Sequence, residues 1–574
     1  MAGKGSFRPA WREDVAKPGT YRTIFKYSAD RFTHPPDAWV EMFKAEFGMT
    51  DADFVTPLAG GDDIVSVDRP SRLDPRHRDA LAAIVGSGNV ADDAYSRVRY
   101  GHGKSVDEDL AMRNGEVSAV PDLVVHPRHK EDVVEIVRYC AANRISIVPW
   151  GAGSGCVLGT RADRGGISLV LGTHMNKVLS VNEANQTAVV QPGILGPDYE
   201  AVLKNAPQLF GTARAYTCGH FPQSFELASV GGWISALGSG QASTYYGDAY
   251  DIVLSQEYVT PVGVIKTFDY PAVATGPKVN DMLKGTEGSF GVLVEATMRI
   301  FRHMPENRRY FSFLFSDWDG AVDAAREISQ GEFGLPAVLR ISDPEETERG
   351  LKLKGFDKGI FNSYFKLRGC QPMKRCLCVG IVEGEKGFAK HVASQASRVA
   401  RAHGGTTLTG FAARQWEHGR YSDIHIREDI LDFGLVLDTL ETGVTWENLH
   451  RVHDGVREFV KSRPGTMCMT HASHFYPQGT NLYFILILRP KNLDEFVAFR
   501  NSVVEKIVEF GGSLSHHHGV GRMFAPWLEK HLGPEQMAVL RALKAHFDPD
   551  DIMNPGGTLA LDSGAGEAEA KHKP

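Results

Sequence analysis

A chain of 574 residues, 42% apolar and 23% charged, is too long for one hydrophobic core and too apolar for extended disorder, so two or three folding units with room for a buried cofactor are expected. A net charge of −7 with pI near 6.3 supplies no basic field for a polyanion, which excludes nucleic acid as the expected partner. The seven scattered cysteines contain no CxxC pair, the start MAGKGSFRPAWRED lacks a signal-peptide core, and no apolar run reaches the ~18 residues of a membrane span, so a cytoplasmic protein, soluble or peripheral to a membrane, is expected.

Residues 1–90 are mixed, with turn signals at Pro35-Pro36, Gly60-Gly61 and Asp62-Asp63 and no evident chemistry; they read as a covering segment. From Pro121 a β-α-β unit follows: the strand LVVHP, the helix HKEDVVEIVRYCAANR and the strand ISIVPW. The helix gathers Val133, Val134, Ile136, Val137, Cys140 and Ala141 on one face and places Glu131 and Asp132 where the dipole favours acids. Strands GGISLVLG, KVLSVN and TAVVQPG, a helix at DYEAVLKNA, a hairpin turning at Pro261 to Gly263 and a strand from Phe290 complete an α+β region. Beyond residue 310 long helical stretches alternate with strands, as expected for an antiparallel sheet with helices on one face. The tail DSGAGEAEAKHKP is small, polar and expected to fray.

Three glycine clusters stand in the α+β region. In PWGAGSG (Pro149, Trp150, Gly151, Ala152, Gly153, Ser154, Gly155) the glycines follow a strand and leave backbone N–H groups free to cradle a pyrophosphate, although such a turn is also common as mere structure. The following VLGTRADRGG opens no amphipathic helix and there is no GK[ST] ending, so this is neither a Rossmann fingerprint nor a P-loop. The second cluster, Pro222 to Gly247, offers backbone at Gly231-Gly232, Gly238 and Gly240 with Ser224, Ser229 and Ser235 as donors; the third is GTEGSFGV from Gly285. Three such loops in one region point to one long nucleotide cofactor lying across them. The run His516-His517-His518 is unusual; if extended, its side chains alternate, which would set His517 opposite to His516 and His518 and deny three ligands to one metal, so no metal is expected. Either the run is an incidental polar loop, or its imidazoles serve as bases near neutral pH.

PDLVVHPRHKEDVVEIVRYCAANRISIVPWGAGSG resembles the first half of the PCMH-type FAD-binding domain of the vanillyl-alcohol oxidase superfamily, and ASVGGWISALGSGQASTYYGDAYDIVLSQEYVTPVG, LKGTEGSFGVLVEATMRI and SHHHGVG resemble its alkyldihydroxyacetonephosphate synthase branch. Trp233 after the glycine pair is that branch's variant, where lactate and glycolate dehydrogenases usually carry asparagine. The resemblance implies a two-lobed FAD-binding domain (91–303), a cap domain with an antiparallel sheet and helices (304–545), and a C-terminal segment (546–574) that returns to the FAD domain before a disordered tail. It implies FAD on Pro149 to Gly155, on Pro222, Gln223, Ser224, Glu226 and Ala228, on Gly231, Gly232, Trp233, Ala236 and Ser239, and on Glu287, Gly288, Phe290, Gly291 and Val292. With no histidine beside the glycine loop, the FAD is expected to be non-covalent.

The same resemblance implicates His516, His517 and His518 in catalysis, makes Tyr476 a proton donor or acceptor near the flavin, and gives Arg420, Arg427 and Arg340 to a phosphate or carboxylate, which guanidinium forks suit. Without it, Tyr476 reads as a half-buried core residue and most arginines as solvated or paired. The implied reaction exchanges the acyl group of acyl-dihydroxyacetone phosphate for a long-chain alcohol through a flavin N5 adduct, with His517 as base. The alternative, towards which the NPGG ending leans, is an FAD-linked oxidase or dehydrogenase of a 2-hydroxy acid or alcohol. A small-molecule substrate with a phosphate or carboxylate and a long alkyl chain, peripheral membrane contact and a homodimer are expected. A non-catalytic flavin carrier would lack titratable groups near the ring, and the histidine run argues against it.

Overall fold

The computed structural model describes residues 16–27, 35, 37–55, 58, 60–117 and 119–562; the opening residues, Pro36 and all but the first residues of the tail lie outside them. The β-α-β unit forms as its pattern requires. Strands Leu123–Val125 and Ile147–Trp150 flank helix Lys130–Asn143, which is capped by His129 accepting the Asp132 N–H and closes at Arg144 in the left-handed region, φ 52°. The strand Ile167–Val170 inserts between the two and runs parallel to both, and Val90–Ala91 adds an antiparallel edge. Val133, Ile136, Val137 and Cys140 are buried beneath this four-stranded sheet. At its other edge the far end of the chain returns: Ile147 donates to the Ile552 carbonyl (2.7 Å) and Asn554 to that of Ile147 (2.8 Å).

A second, five-stranded antiparallel sheet runs Val178–Asn182, Thr187–Val190, Val292–Arg299, Val253–Thr260, Gly263–Lys266, its last pair being the predicted hairpin. The third sheet is the largest. Its seven antiparallel strands lie in the order Thr406–Thr407, Arg309–Phe315, Cys376–Val382, Val338–Ser342, Thr466–Tyr476, Gly479–Leu488, Val436–Thr445.

Strand alternation divides this sheet into two faces with different tasks. Phe311, Phe313, Phe315, Leu339, Ile341, Cys378, Leu482 and Phe484 point to one side, where helices Trp318–Gln330, Lys386–Ala402, Leu449–Ser462 and Leu493–Glu509 bury them. Arg340, Val379, His471, Tyr483, Ile485 and Thr439 point to the other. That face is not bare: helices Pro344–Leu353, Phe411–Gly419 and Asp423–Leu431 stand around its margin and enclose a cavity. The expected single layer of helices is therefore correct for the core face, while a second, looser set exists because a cavity wall needs a rim.

Candidate active site

The cavity measures about 1610 Å³ and is bounded by the glycine loops on one side and the seven-stranded sheet on the other. Of the residues read as cofactor-binding, Pro149, Gly151 to Gly155, Pro222, Gln223, Ser224, Ala228, Gly231, Gly232, Trp233, Ala236, Ser239, Glu287, Gly288 and Gly291 line it. Trp150, Glu226, Phe290 and Val292 do not. Trp150 is buried edge-on to Tyr100 (4.9 Å) beneath the loop, where a Cβ on Gly153 would come within 2.4 Å of its ring; Phe290 packs on Phe547 (5.4 Å), and Val292 is in the core. Trp150, Phe290 and Val292 are supports of the loops.

The loop itself fits an anionic group. Gly153 takes φ 69°, a Cβ on Gly155 would meet nothing within 4 Å, and among the described residues the N–H groups of 152–155 find no protein acceptor. Unpartnered N–H groups around a space that only glycine leaves open are what a pyrophosphate requires. Glu287, at φ 48°, turns its carboxylate away to accept Val520 N–H (2.7 Å) and Gly521 N–H (2.8 Å), pinning the chain after the histidine run against the loops. Burial pushes its acid up to about 7, against the pull of those two bonds.

The histidine run is bent rather than extended, so the expected alternation does not hold. Its cause is Glu441, a buried carboxylate from the next-door strand that accepts the N–H groups of His516 (2.8 Å), His517 (3.1 Å) and His518 (3.0 Å) and the Ser515 hydroxyl (2.7 Å). Wrapped around it, His516 Nδ1 and His517 Nδ1 approach to 3.1 Å, and His517 Nδ1 lies 3.4 Å from Glu441 Oε2. One ligand atom from each of Glu441, His516 and His517 lies within 4.8 Å of the other two, the convergence that alternation would have prevented. Burial lowers the basicity of His516 and His517, with Glu441 opposing it. Burial acts likewise on His518, but the Cys156 thiol and Glu441 outweigh it and lift that ring to about 9.

His517 and His518 line the cavity; His516 does not. Nor does Tyr476. It stands at the end of Thr466–Tyr476, beyond a bulge between Ser473 and Tyr476 in which His474 adopts φ 55°, and its hydroxyl meets His516 Nε2 (2.9 Å) behind the wall. Its pairing with Gly479 keeps it on the same sheet face as Tyr483, although it does not itself line the cavity. Of the hairpin's two tyrosines, Tyr483 is the one on the wall, held against the rings of His471 (4.9 Å) and His517 (5.9 Å), both nearly parallel to it. Burial raises its phenol. The sequence signal for it was strand parity, since Tyr483 and Ile485 share the cavity face.

All three expected arginines reach the cavity, with different commitments. Arg340 pairs with Glu346 (2.7 Å), which also meets His471 (3.1 Å) and is held well below the usual carboxylate range despite burial. Arg427 is buried against Asp109 (2.5 Å) and the Lys104 carbonyl. Arg420 stacks over Phe221 (5.1 Å) and Tyr421 (4.8 Å) and has no acidic partner among the described residues. The wall also includes two aromatics from the opening segment, Tyr27 and Trp39. Lys26 with Asp429 (2.6 Å) and Arg22 with Asp432 (3.0 Å) tie that segment down, a role that nothing in its mixed composition announced.

The remaining wall is mainly apolar: Leu351, Phe356, Ile360, Phe361, Phe365, Leu408, Phe411 and Trp416 extend the cavity away from the glycine loops, with Arg349, Lys354 and Gln415 among them. No helix among the described residues is long and apolar enough to cross a membrane.

Family comparison agrees with this geometry. Residues 121–269 match the FAD binding domain and residues 304–558 the C-terminal domain of FAD linked oxidases. The chain is 30% identical to the alkyldihydroxyacetonephosphate synthase of Dictyostelium discoideum over 86% of its length and 82% of the relative's, and 25% identical to glycolate oxidase subunit GlcD of Bacillus subtilis over 85% and 97%. A solved alkyldihydroxyacetonephosphate synthase superimposes with a TM-score of 0.76 at 27% identity, over 90% of this chain and 92% of that one. The protein is thus an FAD-dependent enzyme, and it belongs to the alkyldihydroxyacetonephosphate synthase family.

Proposed function

We propose that the enzyme replaces the acyl group of acyl-dihydroxyacetone phosphate by a long-chain alcohol, giving the alkyl ether and a fatty acid. The observation that carries this reading is Arg420, a cation without an acidic partner among the described residues, in the same cavity as the His471–Tyr483–His517 stack and a long apolar extension. Arg420 holds the phosphate, the apolar wall takes the alkyl chain, and water is kept from the reacting carbon. His517 removes the C1 proton beside the ketone and returns it after exchange, with Tyr483 orienting the carbonyl oxygen. FAD, held without a covalent bond by the glycine loops and their free N–H groups, supplies the electrophilic centre that this substitution needs.

The helix Gly359–Leu367 supports a membrane-side entrance for such a chain. Ile360 and Leu367 are 81% and 84% exposed, and Ile360 also stands with Phe361 and Phe365 of the same helix at the cavity, so the helix joins the cavity to the outside. We infer that its outer face rests on a lipid surface.

The test is anaerobic mixing with acyl-dihydroxyacetone phosphate and, separately, with 2-hydroxy acids. Loss of the oxidised flavin bands with the ester, restored by a fatty alcohol without oxygen, supports the exchange. Bleaching by a hydroxy acid alone, with recovery only on adding an electron acceptor, replaces it by the oxidase reading that the likeness to a glycolate oxidase subunit favours.

A further inference from the structure

His517 is a base surrounded by protein except where it faces the cavity, and a proton taken up there has to leave. Its Nδ1 edge is occupied by His516 Nδ1 at 3.1 Å and Glu441 at 3.4 Å, so Nε2 is the nitrogen left for the cavity. His516 Nε2 in turn meets the Tyr476 hydroxyl at 2.9 Å. The carboxylate of Asp248, a half-buried residue beside the exposed Tyr250, acts on the same hydroxyl. Every link is a group that can both accept and donate a proton. We propose that His517, His516, Tyr476 and Asp248 form a proton path from the cavity to the outside of the molecule, in which Tyr476 and Asp248 act through the histidines rather than on the substrate.

The transfer balances. His517 Nε2 takes the proton; the His517 Nδ1 proton passes to His516 Nδ1, the His516 Nε2 proton to Tyr476 Oη, and the Tyr476 hydroxyl proton to Asp248. Only N–H and O–H bonds form and break, no electron moves, and both rings are left neutral in the opposite tautomer. The reverse sequence delivers a proton to the cavity and restores them. Glu441 is fixed by four donors beside the two rings and stabilises the passing positive charge. Burial and the neighbouring Asp251 push Asp248 up to about 6, so this terminus accepts and releases protons near neutrality. Ser239 also contacts the Tyr476 hydroxyl and Asp251 the Asp248 carboxylate.

The same Nδ1 atoms and Glu441 lie close enough to share a cation. The hydrogen-bond reading is preferred because Glu441 already accepts four donors and a path needs no ligand brought in from outside.

The proposal rests on His517 being the base of the exchange, and one of its two tests does not. In the resting FAD-loaded enzyme labelled with 15N-histidine, the ring nitrogens report their tautomers directly. Tyr476→Phe is expected to shift the signals of His516 and of His517, which it does not touch, and Asp248→Asn to shift His516. Unchanged His517 signals in Tyr476→Phe, or stoichiometric divalent metal on both Nδ1 atoms of the purified protein, would overturn the path. In the second test, exchange of the substrate C1 hydrogen with D2O is followed by NMR. Tyr476→Phe and Asp248→Asn are expected to slow it about tenfold or more without raising KM, and Asp248→Glu to restore it. Full-rate exchange in both variants overturns the path. Coupled tautomers without any exchange in the parent enzyme leave the path standing and remove the proposed reaction instead.

Discussion

The two walls of the cavity recognise by opposite means. The glycine side presents backbone: Gly151, Gly153 and Gly155 carry no side chain, and what they offer is N–H groups and empty space. The sheet side presents side chains: Arg340, His471, Tyr483 and Thr439 come from four strands, each on the face its parity dictates. Where backbone does the binding, the residue type is forced by conformation; where side chains do, it is forced by chemistry, and the strand beneath is free to vary.

The sharpest way to break this contrast is at the seam. Gly521 sits at φ 54°, and a Cβ there would lie 1.9 Å from the Val157 carbonyl oxygen, a backbone atom that cannot swing aside. Gly521→Ala is expected to cost more than about 3 kcal/mol by chemical denaturation and to abolish flavin retention, whereas a loss below about 1 kcal/mol would show the loops to be soft.

Next in size is a pH effect on the side-chain wall. His518 is raised from its ordinary value to about 9, so its protonated form is favoured in the folded state. The stability it contributes is complete below the unfolded value, roughly pH 6.5, and is lost as pH rises from there to about 9, by at most about 3 kcal/mol. Urea midpoints of the parent and of His518→Asn should differ less at pH 9 than at pH 6; parallel curves would refute the assignment.

Arg420→Ala should raise KM for the phosphate-bearing substrate by about 1.5–3 kcal/mol, roughly 10- to 150-fold, with flavin content unchanged. Gly155→Ala should do the reverse, weakening FAD about tenfold (about 1.4 kcal/mol) without moving the melting point of the cofactor-free protein. If either change crosses over to the other readout, the division between the walls is wrong. The smallest effect is expected outside: Ile360→Ser with Leu367→Ser should leave stability within about 0.5 kcal/mol and abolish co-flotation with lipid vesicles.

The same contrast explains what could be read without coordinates. The glycine loops were legible because Gly153 and Gly288, at φ 69° and 77°, occupy conformations that other residues resist, and the buried stripe of Lys130–Asn143 because helical period is local. The sheet wall was legible only in part. Tyr476 and Tyr483 lie on consecutive strands of one hairpin, and the bulge at His474, which no pattern of residue types declares, sets Tyr476 opposite Gly479 at the margin of the face that Tyr483 occupies. The bend of the histidine run was equally hidden, because Glu441, which causes it, lies on another strand. Arg340 and Arg427 were legible as cations but not as paired ones; Glu346 and Asp109 decide that. Tyr27 and Trp39 carried no signal at all.

The return of the chain to Ile147 has a consequence for how the enzyme is made. The bonds from Ile147 to Ile552 and Asn554 join residues roughly four hundred positions apart, among the most non-local contacts a chain of this size can make. Asn554 then holds the Gly159 and Glu287 carbonyls, on either side of the glycine cradle. During synthesis the first sheet therefore emerges with an open edge that only the end of the chain can close. The cofactor cradle matures only once the segment around Asn554 has been made and docked, and flavin capture reports that late event rather than the folding of the region that carries the motif.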